Sequence, residues 1–309
     1  MVKKELTTFK NFGNVLRLTD ERSEAFITLD FGPRVIKYSL IGGENIMNDT
    51  VYENYVPVKG PQFDEYYYKG AFWNIYGGHR LWYSPESMPE SYYPDNDKVD
   101  YTLTENGAIF TPRPQTENGV AYEIEIYFSE EKLVLKHHIK NIGSKSKRFA
   151  AWALTVAALG GVEIIPFNTN DTGLLHNRQI SIWPYTDLRD DRIYFGHKYA
   201  TLLQKNRENP IKLGFNLNCG HIYYVVGGTT FKKEYTVNEN GIYPDNNVSF
   251  ETYTCKDFTE IESLSELCDV APGESIIHTE KWSLYKTPAQ LDPKNDEKIE
   301  EFISLLEKN

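Results

Sequence analysis

The chain has 309 residues, 40% of them hydrophobic and 14% aromatic, and its 33 Lys and Arg against 44 Asp and Glu give a formal net charge of −11. Most of such a surface repels a polyanion, which excludes nucleic acid as the expected partner. Mean hydropathy is −0.52, no apolar run approaches the roughly 20 residues of a membrane-spanning helix, and the opening MVKKELTTFKNFGNVLRL has no continuous apolar core of a secretory signal. Three scattered cysteines, Cys219, Cys255 and Cys268, do not make a disulfide framework or a zinc site. The expectation is a reduced, cytoplasmic protein without a membrane partner.

In chain order, period-2 patterning dominates. In EAFITLDF (24–31) Ala25, Ile27, Leu29 and Phe31 share a face, and RVIKYSLI follows after Gly32-Pro33. Residues 52–98 are rich in Tyr, Pro, Asp and Glu with little strand pattern, and read as an aromatic loop insertion. YEIEIYF (122–128) and KLVLKHHIK (132–140) alternate cleanly, with His137 on the apolar side of the second. Further strands are predicted in RFAAWALTVA, VEIIPF, HIYYVV, NVSFETYT, FTEIESL and SIIHTEKWSLY. Asn-Gly pairs at 106–107, 118–119 and 240–241 supply the positive φ of tight turns. The tail at 292–309 is the best helix, with Asp292 as cap, Pro293 at its first position and a stripe of Ile299, Phe302, Ile303 and Leu306. The expected whole is all-β: one large antiparallel sandwich spanning 1–309 with a short C-terminal helix docked outside. No blade-length repeat suggests a propeller.

Three segments can carry chemistry. FWNIYGGHRLWYSPE (72–86) reads as one loop holding a proton shuttle in His79, a planar charged fork in Arg80 and stacking faces in Trp73, Trp82 and Tyr83. In FTEIESL (258–264) Phe258, Glu260, Glu262 and Leu264 share one face, and the apolar companions imply that it is covered. Two carboxylates there repel each other unless cations pair with them, a pattern suited to a base beside a hydroxyl-binding partner. The third, at 181–202, gathers Trp183, Tyr185 and Lys198 in a dense polar and aromatic cluster of candidate ligand contacts, while Asp187, Asp190 and Asp191 read as a surface loop with internal ion pairs. No EF-hand, HExxH, GxSxG, GxGxxG or Walker pattern occurs, so neither a metal nor a nucleotide cofactor is expected.

Together, ITLDFGPRVIKYSL, YGGHRLWYSPE, KNIGSKSKRFAAWALTVAALGGVEIIPF and TEIESLSELCDVAPGESIIHTEKWSLY resemble the galactose mutarotase-like (aldose 1-epimerase-like) superfamily, from about residue 20 to about residue 286. The resemblance implies a β-supersandwich with a concave carbohydrate-binding face. It also implies cofactor-free interconversion of aldose or aldose phosphate anomers by a carboxylate base and a histidine acid. By that likeness Glu260, or second Glu262, is the base, His79 the acid and Arg80 the substrate anchor, with Trp82 or Trp183 as stacking floor. The mid-chain histidine of family mutarotases is absent: the matching AAWALTV offers Trp152 and Thr155. A noncatalytic carbohydrate-binding protein on the same fold is therefore the alternative. A hydrolase needs carboxylates on opposite walls, which a pair on one strand does not provide.

Overall fold

The computed structural model describes residues 1–308. Its strands form two large antiparallel sheets packed face to face, the all-β sandwich expected. The first runs Lys3–Thr8, Asn14–Thr19, Ser23–Thr28, Val35–Leu40, Gly78–Ser84, Lys147–Ala157, Thr259–Leu264, Phe250–Thr254, Ile211–Phe215, Ile180–Ile182, with Cys268–Val270 pairing to Lys147–Ala157. The second places Thr229–Tyr235, Ser275–Lys286, Lys132–Asn141 and Val120–Ser129 side by side at its centre. Their facing sides carry the apolar alternation seen in the sequence. Tyr122, Ile124, Ile126 and Phe128 lie in the common core with Ala25, Ile27, Leu81 and Phe149.

The 52–98 stretch is not loop throughout. It contains the short helix Pro61–Tyr66, a two-stranded ribbon of Val58–Lys59 with Phe72–Trp73, and the strand Gly78–Ser84. All seven residues of that strand are buried, because it sits mid-sheet against Lys147–Ala157. A strand covered on both faces loses polar alternation, which is why the period-2 test passed over it. At Gly78 (φ +63) a Cβ would stand 2.4 Å from the carbonyl oxygen of Val35, so the close approach of these two strands requires glycine there.

The C-terminal helix is Asp296–Leu306, and its cap is Asn295 rather than Asp292: the Asn295 side chain accepts from the amides of Glu297 and Lys298. Ile299, Phe302 and Leu306 are buried against Ile164 and Tyr223, on the outer face of the second sheet. Asn309, the last residue of the expected helix, lies outside the described residues. Among the described residues no helix is long and apolar enough to cross a membrane.

Polar groups cross the core as well. Glu163 on Val162–Pro166 reaches the opposite sheet, where its Oε1 accepts from Thr252 Oγ1 at 2.8 Å and Thr259 Oγ1 at 3.1 Å. Its other oxygen has no partner. Burial outweighs these hydrogen bonds and pushes the carboxyl up to about 8. Folding thus takes up a proton between the unfolded carboxyl near 4.5 and the folded one near 8, and this contribution to stability is lost as pH rises through that window. Glu163→Gln does not titrate, so its stability relative to the native chain should climb from pH 5 to pH 8 by on the order of a few kcal/mol. Urea unfolding midpoints at the two pH values check this; an unchanged difference means the buried carboxyl is already ionised.

Candidate functional site

Five neighbouring strands of the first sheet present one outer face. The pleat sends Arg80 and Trp82 outward from Gly78–Ser84, and His79, Leu81 and Tyr83 inward. Register aligns the outward set: Trp82 faces Trp152, and Arg80 faces Leu154. Leu154 faces Glu262 and Val156 faces Glu260; Glu262 faces Glu251 and Glu260 faces Tyr253; Tyr253 faces Lys212. Over part of this face the early aromatic segment folds down, so that Phe63, Trp73 and Ile75 pack with Trp82, Trp152 and Leu154. What stays open is a cavity of about 450 Å³ walled by Tyr55, Trp73, Arg80, Trp82, Tyr92, Trp152, Lys212, Tyr253 and Glu260, with Glu86, Tyr185, Glu208, Lys256 and Asp257 among its further lining residues.

Two charge clusters lie in its wall. Arg80 Nη1 and Glu260 Oε1 are 2.8 Å apart, and the guanidinium carbon stands 4.3 Å over the Trp82 ring and 5.4 Å from that of Trp73. The ion pair lies off the hydrogen-bonding direction, so Arg80 Nε and Nη1, Glu260 Oε1 and the nearby Trp73 Nε1 are buried without hydrogen-bond partners. Deeper, the Lys212 ammonium bridges Glu251 (2.8 Å) and Glu262 (3.1 Å), while Trp152 Nε1 donates to Glu262 at 2.8 Å. Burial alone would lower Lys212, but the two carboxylates outweigh it and hold the ammonium well above its usual range. Burial raises both Glu262 and Glu251, against the pull of Lys212.

Of the residues singled out in the sequence, Arg80, Trp82, Trp152, Tyr185 and Glu260 meet around the cavity. Glu262 lies beneath it, fully buried, and Trp183 stands with its ring 5.0 Å from Lys212 Nζ. Two expectations are corrected. Lys198 is on another side of the molecule, paired to Glu300 of the C-terminal helix at 2.7 Å. His79 does not reach the cavity. It neighbours Arg80 on a strand, and adjacent strand residues point to opposite faces, so its ring lies in the core between the sheets, 1% exposed. Sequence reasoning also missed Lys212, Glu251, Tyr55, Tyr92 and Tyr253. A lone lysine between Ile211 and Leu213, in a strand too short to be noticed, was the available signal. Asp187, Asp190 and Asp191 pair with Arg189, Arg192, Lys205 and Arg207, the internal ion pairs anticipated.

The misplaced histidine belongs to a continuous buried network. His137 Nδ1 donates to the carbonyl of His278 at 3.0 Å, leaving its Nε2 to accept from His79 Nε2 at 2.8 Å. The Thr155 hydroxyl then donates to His79 Nδ1. Ser263 accepts from His278 Nε2 and donates to Glu280, which is paired to Lys233 at 2.8 Å. This proton assignment satisfies every ring nitrogen it involves with all three histidines neutral. That agrees with burial holding His79 well below the usual range, lowering His137, and pushing His278 down to about 3. His79, His137 and Glu280 gather within metal-ligating distance of one another. Lys233 already supplies the cation that Glu280 needs, so these residues fit a proton network better than a divalent ion. Lys233 also donates to the carbonyls of Ala153 and Ile261, pinning from below two strands that carry the cavity.

No family model matches this sequence, and no curated protein matches it. Solved structures do. A candidate aldose 1-epimerase from Klebsiella pneumoniae subsp. pneumoniae MGH 78578 is similar with TM-score 0.56 and 10% identity, over 99% of this chain and 87% of that one. A galactose mutarotase-like protein from Lactobacillus casei ATCC 334 aligns with TM-score 0.55 and 9% identity, over 88% and 100%. Another from Clostridium acetobutylicum gives 0.52 and 12%, over 93% and 98%. The chain has the galactose mutarotase-like fold; at these identities the likeness is one of architecture.

The lysine bridge is testable. Lys212→Met leaves two buried carboxylates without their cation and should cost roughly 3–5 kcal/mol at pH 8. The loss should shrink at pH 5, where the carboxyls can protonate, because groups raised in the folded state contribute stability below their unfolded value and lose it as pH rises. Urea unfolding at the two pH values decides; equal, small losses mean Lys212 does not compensate the pair.

Proposed function

We propose that the chain is a carbohydrate-active protein that takes an aldose into this cavity. The observation that carries the reading is the mixture in one wall: the indoles of Trp73, Trp82 and Trp152 beside the Arg80–Glu260 ion pair. A pyranose offers apolar C–H faces to the rings and hydroxyls that both donate and accept to the polar atoms. The solved neighbours described as aldose epimerase or mutarotase-like support a sugar as the small-molecule partner. A cytoplasmic setting is part of the proposal and is supported by three unpaired cysteines.

A second reading, anomer interconversion, is favoured by the place of Glu260 in the cavity wall. Its carboxylate would take the anomeric hydroxyl proton while solvent water in the open cavity protonates the ring oxygen; opening, rotation about C1 and reclosure follow. The imidazole that the family likeness would use is absent from the lining. Binding is therefore the first claim and turnover the second.

Saturation-transfer NMR with a panel of free aldoses tests the first. The native chain should bind at least one, and Arg80→Ala or Trp82→Ala should weaken it tenfold or more; no binding across the panel sinks the proposal. Exchange spectroscopy on the bound sugar tests the second. Catalysed anomer exchange that falls about 10²–10⁴-fold in Glu260→Gln supports turnover. Binding with only the spontaneous exchange rate leaves a carbohydrate-binding protein.

A further inference from the structure

The charges around the cavity discriminate among sugars, and this step rests on the sugar-binding reading above. Three cations line it, and each is already neutralised: Arg80 by Glu260, Lys212 by Glu262 and Glu251, and Lys256 by Glu208 at 2.8 Å. Two further lining carboxylates, Glu86 and Asp257, are exposed and have no ion-pair partner among the described residues; Glu86 only accepts from the Tyr92 hydroxyl. The wall thus has no unpaired cation and is negative at its rim, on a chain whose net charge is −11.

A phosphate meets this arrangement badly in two ways. To engage Arg80 as an ion it must displace Glu260, which would leave a nearly buried carboxylate unpaired. It is also an acceptor only, whereas the wall sets the acceptor carboxylate of Glu260 beside the donor guanidinium of Arg80. A hydroxyl both donates and accepts, so it can bond to such a pair without carrying a charge that competes with it. A carboxylate has the defects of a phosphate. An ammonium has neither, and the rim carboxylates attract it.

We infer that the cavity selects aldoses bearing no phosphate or carboxylate and accepts an amino substituent at its rim, because every cation facing the ligand is already paired while Glu86 and Asp257 are not.

The test is calorimetric binding of glucose and galactose, each as the free sugar, the 2-amino sugar and the 6-phosphate, at 50 and 500 mM salt. At low salt the phosphate of the sugar that binds should be on the order of tenfold weaker than its parent, and the amine equal or tighter. High salt should narrow the gap, as should the double variant Glu86→Gln/Asp257→Asn, whose positions are exposed enough to spare the fold. A phosphate that binds as tightly as the parent, or tighter, overturns the inference while leaving sugar binding intact. If neither hexose binds in any form, the sugar-binding reading falls for this panel and the inference with it.

Discussion

The pleat of a single strand governs this molecule. Gly78–Ser84 lies in the middle of a sheet that is covered on both sides, so each step along it crosses from one environment to the other. His79 enters a dry interior and becomes one link in a chain of neutral imidazoles. Arg80, one residue later, enters a cavity and stays charged among indoles and a carboxylate. The same alternation in Lys147–Ala157 sends Trp152 to the cavity and Thr155 to the imidazoles, and in Thr259–Leu264 sends Glu260 outward and Ile261 into the core. The two polar systems lie back to back on one sheet, and Lys233 ties them by holding backbone carbonyls of two cavity strands from the core side.

Each system meets the cost of buried charge differently. The interior uses tautomers: neutral rings donating and accepting in sequence, with Lys233 and Glu280 as the one ion pair. The cavity side uses real charges, and it satisfies the deepest with one lysine for two carboxylates and the shallower with an arginine laid over tryptophan. Both clusters keep carboxylate oxygens without a hydrogen bond, but Glu262 is sealed beneath the cavity while Arg80 and Glu260 line it, which is why the shallower pair faces a ligand in this account.

Much of this was legible in the sequence. The alternation of FTEIESL correctly put Glu260 and Glu262 on one covered face, and the apolar companions implied the cations that turned out to be Arg80 and Lys212. The sandwich and the tail helix followed from periodicity. Two things were obscured. GGHR was read as a loop because Gly77-Gly78 looks like turn punctuation and because a strand buried on both faces shows no polar side. Reading it so placed His79 and Arg80 together, whereas strand geometry separates them. Lys212 and Glu251 were invisible for a different reason: each is one charge in a five-residue strand, and only the register of three strands brings the carboxylates to one ammonium. Long-range pairing of that kind carries no local signature.

The claim on which the functional account rests is that the outer face of this sheet, and not its core, meets the sugar. The five tryptophans report on it directly, since Trp73, Trp82 and Trp152 wall the cavity and Trp282 is sealed in the core, bonded to Glu280. Indole Nε1 resonances, assigned by single substitution and followed while an aldose is titrated, should shift saturably for the three cavity residues and stay fixed for Trp282. Shifts confined to other indoles, or none at saturating sugar, would contradict the account.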